Sequence, residues 1–238
     1  MTPDDHLTPS LSTDTQPPVP SWVQYVPSAI HDAAGFMLDN HVIGLGEGLS
    51  DELRNDMMYS CMYAETIASN ATDMRTDPQF WHEFYVDVLH HVGWEAKAPV
   101  LEEWTRHLHF TPEQTLLQVI QEAGGQRMGV VAMRTLGALQ KNHPARQLLK
   151  QTGMGEQGVA FKLLPCIQST EGNAIMVLSC VNASSWPALV SWLEDDEPVI
   201  QIQAQRMELN PRHHDHYREK VQNAVHRRSD QFFANLTL

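Results

Sequence analysis

Apolar residues recur every three or four positions through most of the first 150 residues and every second position through much of the remainder. Between residues 21 and 40, Trp22, Val26, Ile30, Ala33, Met37 and Leu38 keep helical spacing. Pro27 would break a first turn there, so the pattern predicts a helix from about residue 28. Ser50 followed by Asp51 and Glu52 predicts an N-cap and an acidic first turn, opening a second helix to about residue 69. Asp77 and Pro78 predict a third helix that Gly93 stops, with Trp81, Phe84, Tyr85, Val88, Leu89 and Val92 on its buried side. Residues 102–110 then alternate: Trp104, Arg106, Leu108 and Phe110 share one parity, Glu103, Thr105, His107 and His109 the other, which predicts a strand. Thr111 and Pro112 open a helix that Gly124 and Gly125 end. A further helix covers about 126–141, and Pro144 separates it from a short segment holding Leu148 and Leu149.

The period changes after residue 155. Val159, Phe161, Leu163, Pro165 and Ile167 keep one parity, residues 169–173 supply turn chemistry, and residues 174–181 are apolar on both faces. This predicts a β-hairpin whose second strand is central and buried. Ile200, Ile202 and Ala204 alternate with Gln201, Gln203 and Gln205, as in a strand buried on one face only. Residues 186–197, with Trp186, Trp192 and the acidic run Glu194-Asp195-Asp196-Glu197, keep neither period. Asn210 and Pro211 predict a cap and a closing helix to about residue 235, with Tyr217, Val221, Ala224, Val225, Phe232 and Leu236 as its buried stripe. The expected fold class is α+β: a helical N-terminal half packed on a mostly antiparallel sheet of three to five strands, closed by a C-terminal helix. Residues 1–20, with five prolines among Ser, Thr and Asp, read as a loosely draped arm. Residues 21–155 form the mainly helical region, and 156–238 continue the same domain with the hairpin, third strand and last helix.

Composition narrows the function. Sixteen Lys and Arg against 29 Asp and Glu give a formal net charge of −13, which repels a phosphate backbone and argues against nucleic-acid binding. No apolar run approaches the roughly 18 to 20 residues of a membrane-spanning helix, and the first residues lack the features of a Sec signal, so a cytoplasmic protein is expected. Cys61, Cys166 and Cys180 lie in apolar company without CxxC spacing and read as free buried thiols. Phosphate-loop, dinucleotide, nucleophile-elbow and HExxH motifs are absent, and no cofactor is implied.

Three groupings could carry chemistry. Glu83, Asp87 and His90 share a band of about 60° on the third helix, one turn apart, as ligands of a hard metal or proton-sharing groups would. His107 and His109 would project from one strand face about 7 Å apart, a spacing that suits two metal ligands. The stretch Pro211-Arg-His-His-Asp-His-Tyr-Arg-Glu219 concentrates His213, His214 and His216, but one helix spreads them over about 160°, too wide for a single ion. They read instead as pH-responsive side chains. The chain's 13 histidines equal its formal negative charge, so protonating all of them would bring the net charge to about zero and favour association at lower pH. The expected function is therefore a non-catalytic protein-interaction or self-assembling protein, of the bacterial effector or toxin-complex kind, with a second copy of itself as partner. The alternative is a metal-assisted hydrolase using the carboxylate and histidine positions.

Overall fold

The Gly35-Phe-Met-Leu run is a strand, not the helix its spacing suggests. The computed structural model describes residues 34–38, 40–74, 76–105, 112–155, 158–183, 200–226 and 234–237. In it Ala34–Leu38 (β1) pairs antiparallel with His41–Leu45 (β2) in the register Leu38↔His41. Phe36 and Ile43 are buried in one core while Met37 and Val42 are buried in the other. A strand buried on both faces carries no period of two, and its apolar residues fall into helical spacing by coincidence.

The helices after it begin where their caps direct. Asp51–Ala71 (α1) starts at Ser50, whose hydroxyl accepts the Leu53 N–H, and Pro78–His91 (α2) starts at Asp77, whose carboxylate accepts the Phe80 N–H. Gly93, at φ 103°, ends α2 in the left-handed region, and a Cβ there would lie 2.9 Å from the His214 backbone nitrogen. Trp94–Ala96 (β3) and Leu101–Thr105 (β4) come after it, so the predicted strand begins on time and its continuation past Thr105 lies outside the described residues. Next come Pro112–Gly124 (α3), Gln126–Lys141 (α4) and His143–Gly153 (α5), the last capped by Asn142. Met154–Gly155 (β5), Gly158–Gln168 (β6), Ala174–Ala183 (β7) and Ile200–Leu209 (β8) continue the chain.

The closing helix is a correction. Asn210 caps it, as its side chain accepting the His213 N–H shows, but it runs only over Pro211–Asp215 (α6), turns, and resumes over Arg218–His226 (α7). Through the turn the His216 and Tyr217 amides donate to the carbonyls of His213 and His214, tightening it as a 3₁₀ turn does. Leu236, placed by spacing on the helical stripe, belongs to a strand, Ala234–Thr237 (β9), paired antiparallel with β1. Val221 and Val225 are buried as expected. Phe232 lies outside the described residues, as do residues 1–33 and the acidic run 194–197.

The fold class is α+β. Nine strands among the described residues, more than the three to five expected, form one sheet in the order β3-β8-β7-β6-β2-β1-β9, with β4 also on β8 and β5 on β6. Every pairing is antiparallel except β2 with β6, which places His41 beside Lys162. Short strands such as β3, β5 and β9 account for much of the excess. They are too brief to show alternation. One sheet face, with Val42, Phe161, Leu163, Val181 and Ile202, packs on α3, α4 and α5. The other, with Ile43, Leu164, Leu178 and Met207, packs on α1, α2 and α7.

Candidate functional site

The second face is apolar at one end and polar at the other. Because side chains alternate, Ala160 and Lys162 of β6, Cys180 and Asn182 of β7, Gln201 and Gln203 of β8 and Glu102 of β4 all project from that face, aligned by register: Lys162↔Cys180↔Gln203↔Glu102 and Ala160↔Asn182↔Gln201. At the Met176 and Met207 end α1 and α2 cover the face. At the polar end, the segment leading into α2 stands across the sheet as a wall, and a groove of about 920 Å³ lies between them. Its floor holds Asn182, Gln201, Gln203 and Glu102; its wall holds Met74, Asp77, Gln79, His82 and Glu83. The glutamines read as a solvated face in sequence are thus the floor of a groove. Gln201 donates to Glu102 at 2.7 Å and Gln79 to Glu83 at 3.2 Å, so the carboxylates are oriented by amides.

Beside the floor, on the same sheet face and two strands from Gln203, lies a buried cluster that the sequence pattern does not single out. Lys162 is 1% exposed, and its Nζ sits 3.7 Å from the Trp81 ring centroid, 5.2 Å from that of Tyr85 and 3.8 Å from Met74 Sδ. Burial pushes the Lys162 ammonium below its ordinary pKa, more than Cys180, Glu65 and Cys61 offset. Beside it, His41 Nδ1 lies 3.2 Å from both the Leu38 carbonyl and Glu65 Oε2. Burial and the nearby Lys162 hold His41 well below the ordinary imidazole range and bring His82 down to about 3. The three cysteines are free and buried, and burial raises their thiols, Cys61 to about 12, so none is a ready thiolate. A signal was available in the sequence: Lys162 is the single charge inside the eleven residues of β6, on the parity opposite Phe161 and Leu163.

The positions singled out from sequence are distributed otherwise. Glu83, Asp87 and His90 are all exposed on α2, and Glu83 alone of them faces the groove. Phe84, placed on the buried side of that helix, is 37% exposed, since helices cover only part of its apolar arc. Among the described residues no three His, Cys, Asp or Glu side chains gather as a metal site would require. His107 and His109 lie outside the described residues.

The histidine-rich stretch divides. His213 and His216 are exposed, the first with its ring 5.5 Å from that of Tyr217 and the second with Nδ1 2.8 Å from the Arg212 carbonyl. His214 is buried, with Nδ1 2.7 Å from the Val92 carbonyl and Nε2 3.3 Å from Asp56 Oδ1. Arg218 grips the same Asp56 through Nε and Nη2 at 2.8 and 2.7 Å and also reaches Asp215 and Glu52. Burial raises the Asp56 carboxyl, but the hydrogen bonds from His214 and Arg218 outweigh it and hold the group below its ordinary value. This set ties α1 to α6 and α7. It faces structure, not the groove.

No protein-family model and no curated protein matches the chain. Among solved structures it is similar to the Evf virulence factor, at 11% identity and a TM-score of 0.39 over 80% of this chain and 82% of that one. A similarity so distant transfers no residue role. No helix among the described residues is long and apolar enough to cross a membrane.

Proposed function

We propose that the protein acts by non-catalytic binding, with the groove as the seat for a basic segment of a protein partner. The observation that carries this reading is the lining. Among the described residues it holds three carboxylates, Asp77, Glu83 and Glu102, four side-chain amides, and no lysine or arginine. A cationic segment would find both charge and hydrogen-bond acceptors there, and the net charge of −13 would steer it in. The volume falls within the roughly 300 to 1,000 Å³ of ligand clefts. Beside the wall, Phe80 and Phe84 of α2 stand 45% and 37% exposed with their rings 5.4 Å apart, an aromatic pair of the kind that anchors protein contacts.

The partner on this reading is another protein, whether a second copy of the chain or, for an effector or toxin-complex component, a foreign one. Fluorescence anisotropy with two labelled peptides of equal length, one rich in Lys and Arg and one in Asp and Glu, tests it. The basic peptide should bind at low salt and weaken as salt screens the carboxylates over about 8 to 10 Å. Glu83→Gln with Glu102→Gln should lower its affinity several-fold, and Phe80→Ser with Phe84→Ser should weaken a protein partner without lowering the melting temperature. Equal or tighter binding of the acidic peptide would overturn the reading. Sedimentation velocity of the purified chain separates self-association from a foreign partner.

A further inference from the structure

Of the five lysines in the chain, Lys97, Lys141, Lys150 and Lys220 are exposed and Lys162 alone is buried. A buried ammonium has three N–H donors and normally needs oxygen acceptors to replace water. Lys162 Nζ has none among the described residues: its hydrogen-bonding neighbour is the Met74 thioether, and its other close contact is the Trp81 ring face. Burial favours the free amine while the Trp81 ring face favours the ammonium, and a desolvated lysine is the setting in which lysines form covalent bonds with carbonyl compounds.

The amine is also close to an entrance. Met74, Cys180 and Ala160 all line the groove. Met74 sits 3.8 Å from Nζ, Cys180 is the cross-strand partner of Lys162, and Ala160 precedes it by two on the same face. The Met74 thioether is thus the flexible group between the amine and the groove, held in place by the hydrogen bond its sulfur accepts from Asn40 Nδ2 at 2.7 Å, which must open for a ligand to pass.

We propose that Lys162 is an imine-forming site that captures a small uncharged aldehyde or ketone entering from the groove past Met74. The Nζ lone pair attacks the carbonyl carbon and forms the C–N bond. The carbonyl oxygen leaves as water with the two amine protons, and C=N remains. Nothing is oxidised or reduced. The carboxylates of Asp77, Glu83 and Glu102 at the entrance repel anionic carbonyl compounds such as keto acids, and Trp81 and Tyr85 give the captured group an apolar wall. The titratable groups around the amine are Glu65, Cys61, Cys180, His41, His82 and Tyr85, whose phenol burial keeps protonated. Glu65 favours the ammonium, and burial, the larger effect, favours the free amine. The capture needs no basic partner, so it stands apart from the groove's role as a seat for a basic segment.

The full chain is incubated at pH 7 with propanal and sodium cyanoborohydride, which delivers hydride to the imine carbon, and peptide mass spectrometry tracks the adduct at each lysine with time. Lys162 should be modified before the four exposed lysines. Met74→Ala should speed it, and glyoxylate in place of propanal should not modify it. Lys162→Met, which keeps the shape of the side chain, should lose that adduct while retaining its melting transition. Modification of Lys162 no faster than that of the exposed lysines, in both the natural chain and Met74→Ala, would overturn the proposal.

Discussion

A carboxylate removed from water is tolerable when its oxygens are claimed, and Asp56 has its two oxygens claimed by His214 Nε2, Arg218 Nε and Arg218 Nη2. Asp56→Ala removes the shared acceptor and leaves both partners facing an apolar space. The expected loss is about 3 to 5 kcal/mol by urea unfolding, the range for orphaning a buried charge, and nearer the lower figure because Arg218 keeps Asp215 and Glu52. A loss below about 1 kcal/mol would show that the clamp is dispensable. The sign of its pH dependence is fixed by the depressed folded pKa. The stabilisation is complete above the ordinary aspartate value of about 3.9 and is lost as pH falls through the lower folded one. Asp56→Asn should therefore flatten the stability curve in that acid window and leave its shape unchanged above pH 5. His214 was visible in the sequence as one of three histidines. Its burial was not, because the Val92 carbonyl and Asp56 that hold it lie 122 and 158 residues away in the chain. Lys162 is hidden for a different reason: the alternation of Val159, Phe161 and Leu163 defines the strand by one parity, and the lysine sits on the other.

Elements were legible where the chain carries its own punctuation. Ser50, Asp77 and Asn210 each cap the helix that comes next, and Gly93 and Gly125 end or separate helices at positive φ, while Asn142, which caps α5, goes unread beside Pro144. They were illegible where tertiary partners decide, as at β1, whose burial on both faces erases its period, and at the bend between α6 and α7. The close seating of β2 under α4 shows how tight that tertiary packing is. A Cβ on Gly44 would overlap Thr135 Oγ1 and approach Val131 Cγ1 to 3.2 Å. Thr135 cannot easily yield, since it is buried and its hydroxyl donates to the Val131 carbonyl at 2.7 Å. Gly44→Ala should cost about 1 to 3 kcal/mol by overpacking. Adding Thr135→Ala should recover part of that loss, giving a double-mutant coupling above about 0.5 kcal/mol in chemical denaturation. Strictly additive effects would mean that β2 and α4 part without strain.

At the scale of the whole molecule, charge decides how copies of the chain meet. Thirteen histidines against a formal charge of −13 suggest neutrality on full protonation, but the fold withdraws two of them. Burial holds His41 well below the ordinary imidazole range and His82 down at about 3, so about eleven histidines are left to charge and the formal balance reaches only about −2. The folded protein should therefore focus below the composition value of about 5.3, and focusing in urea, which returns these groups to water, should move it back up. Lower repulsion should still promote association between pH 7.5 and 5.5, near the ordinary imidazole pKa of about 6.5, with the trend flattened by salt. Light scattering at low ionic strength measures it. Because His213 and His216 are exposed and are only two of the remaining eleven, replacing both by Gln should displace the midpoint only slightly. A large displacement would mean that those two rings sit in the contact itself, and a hydrodynamic radius unchanged across the range would leave net charge with no part in assembly.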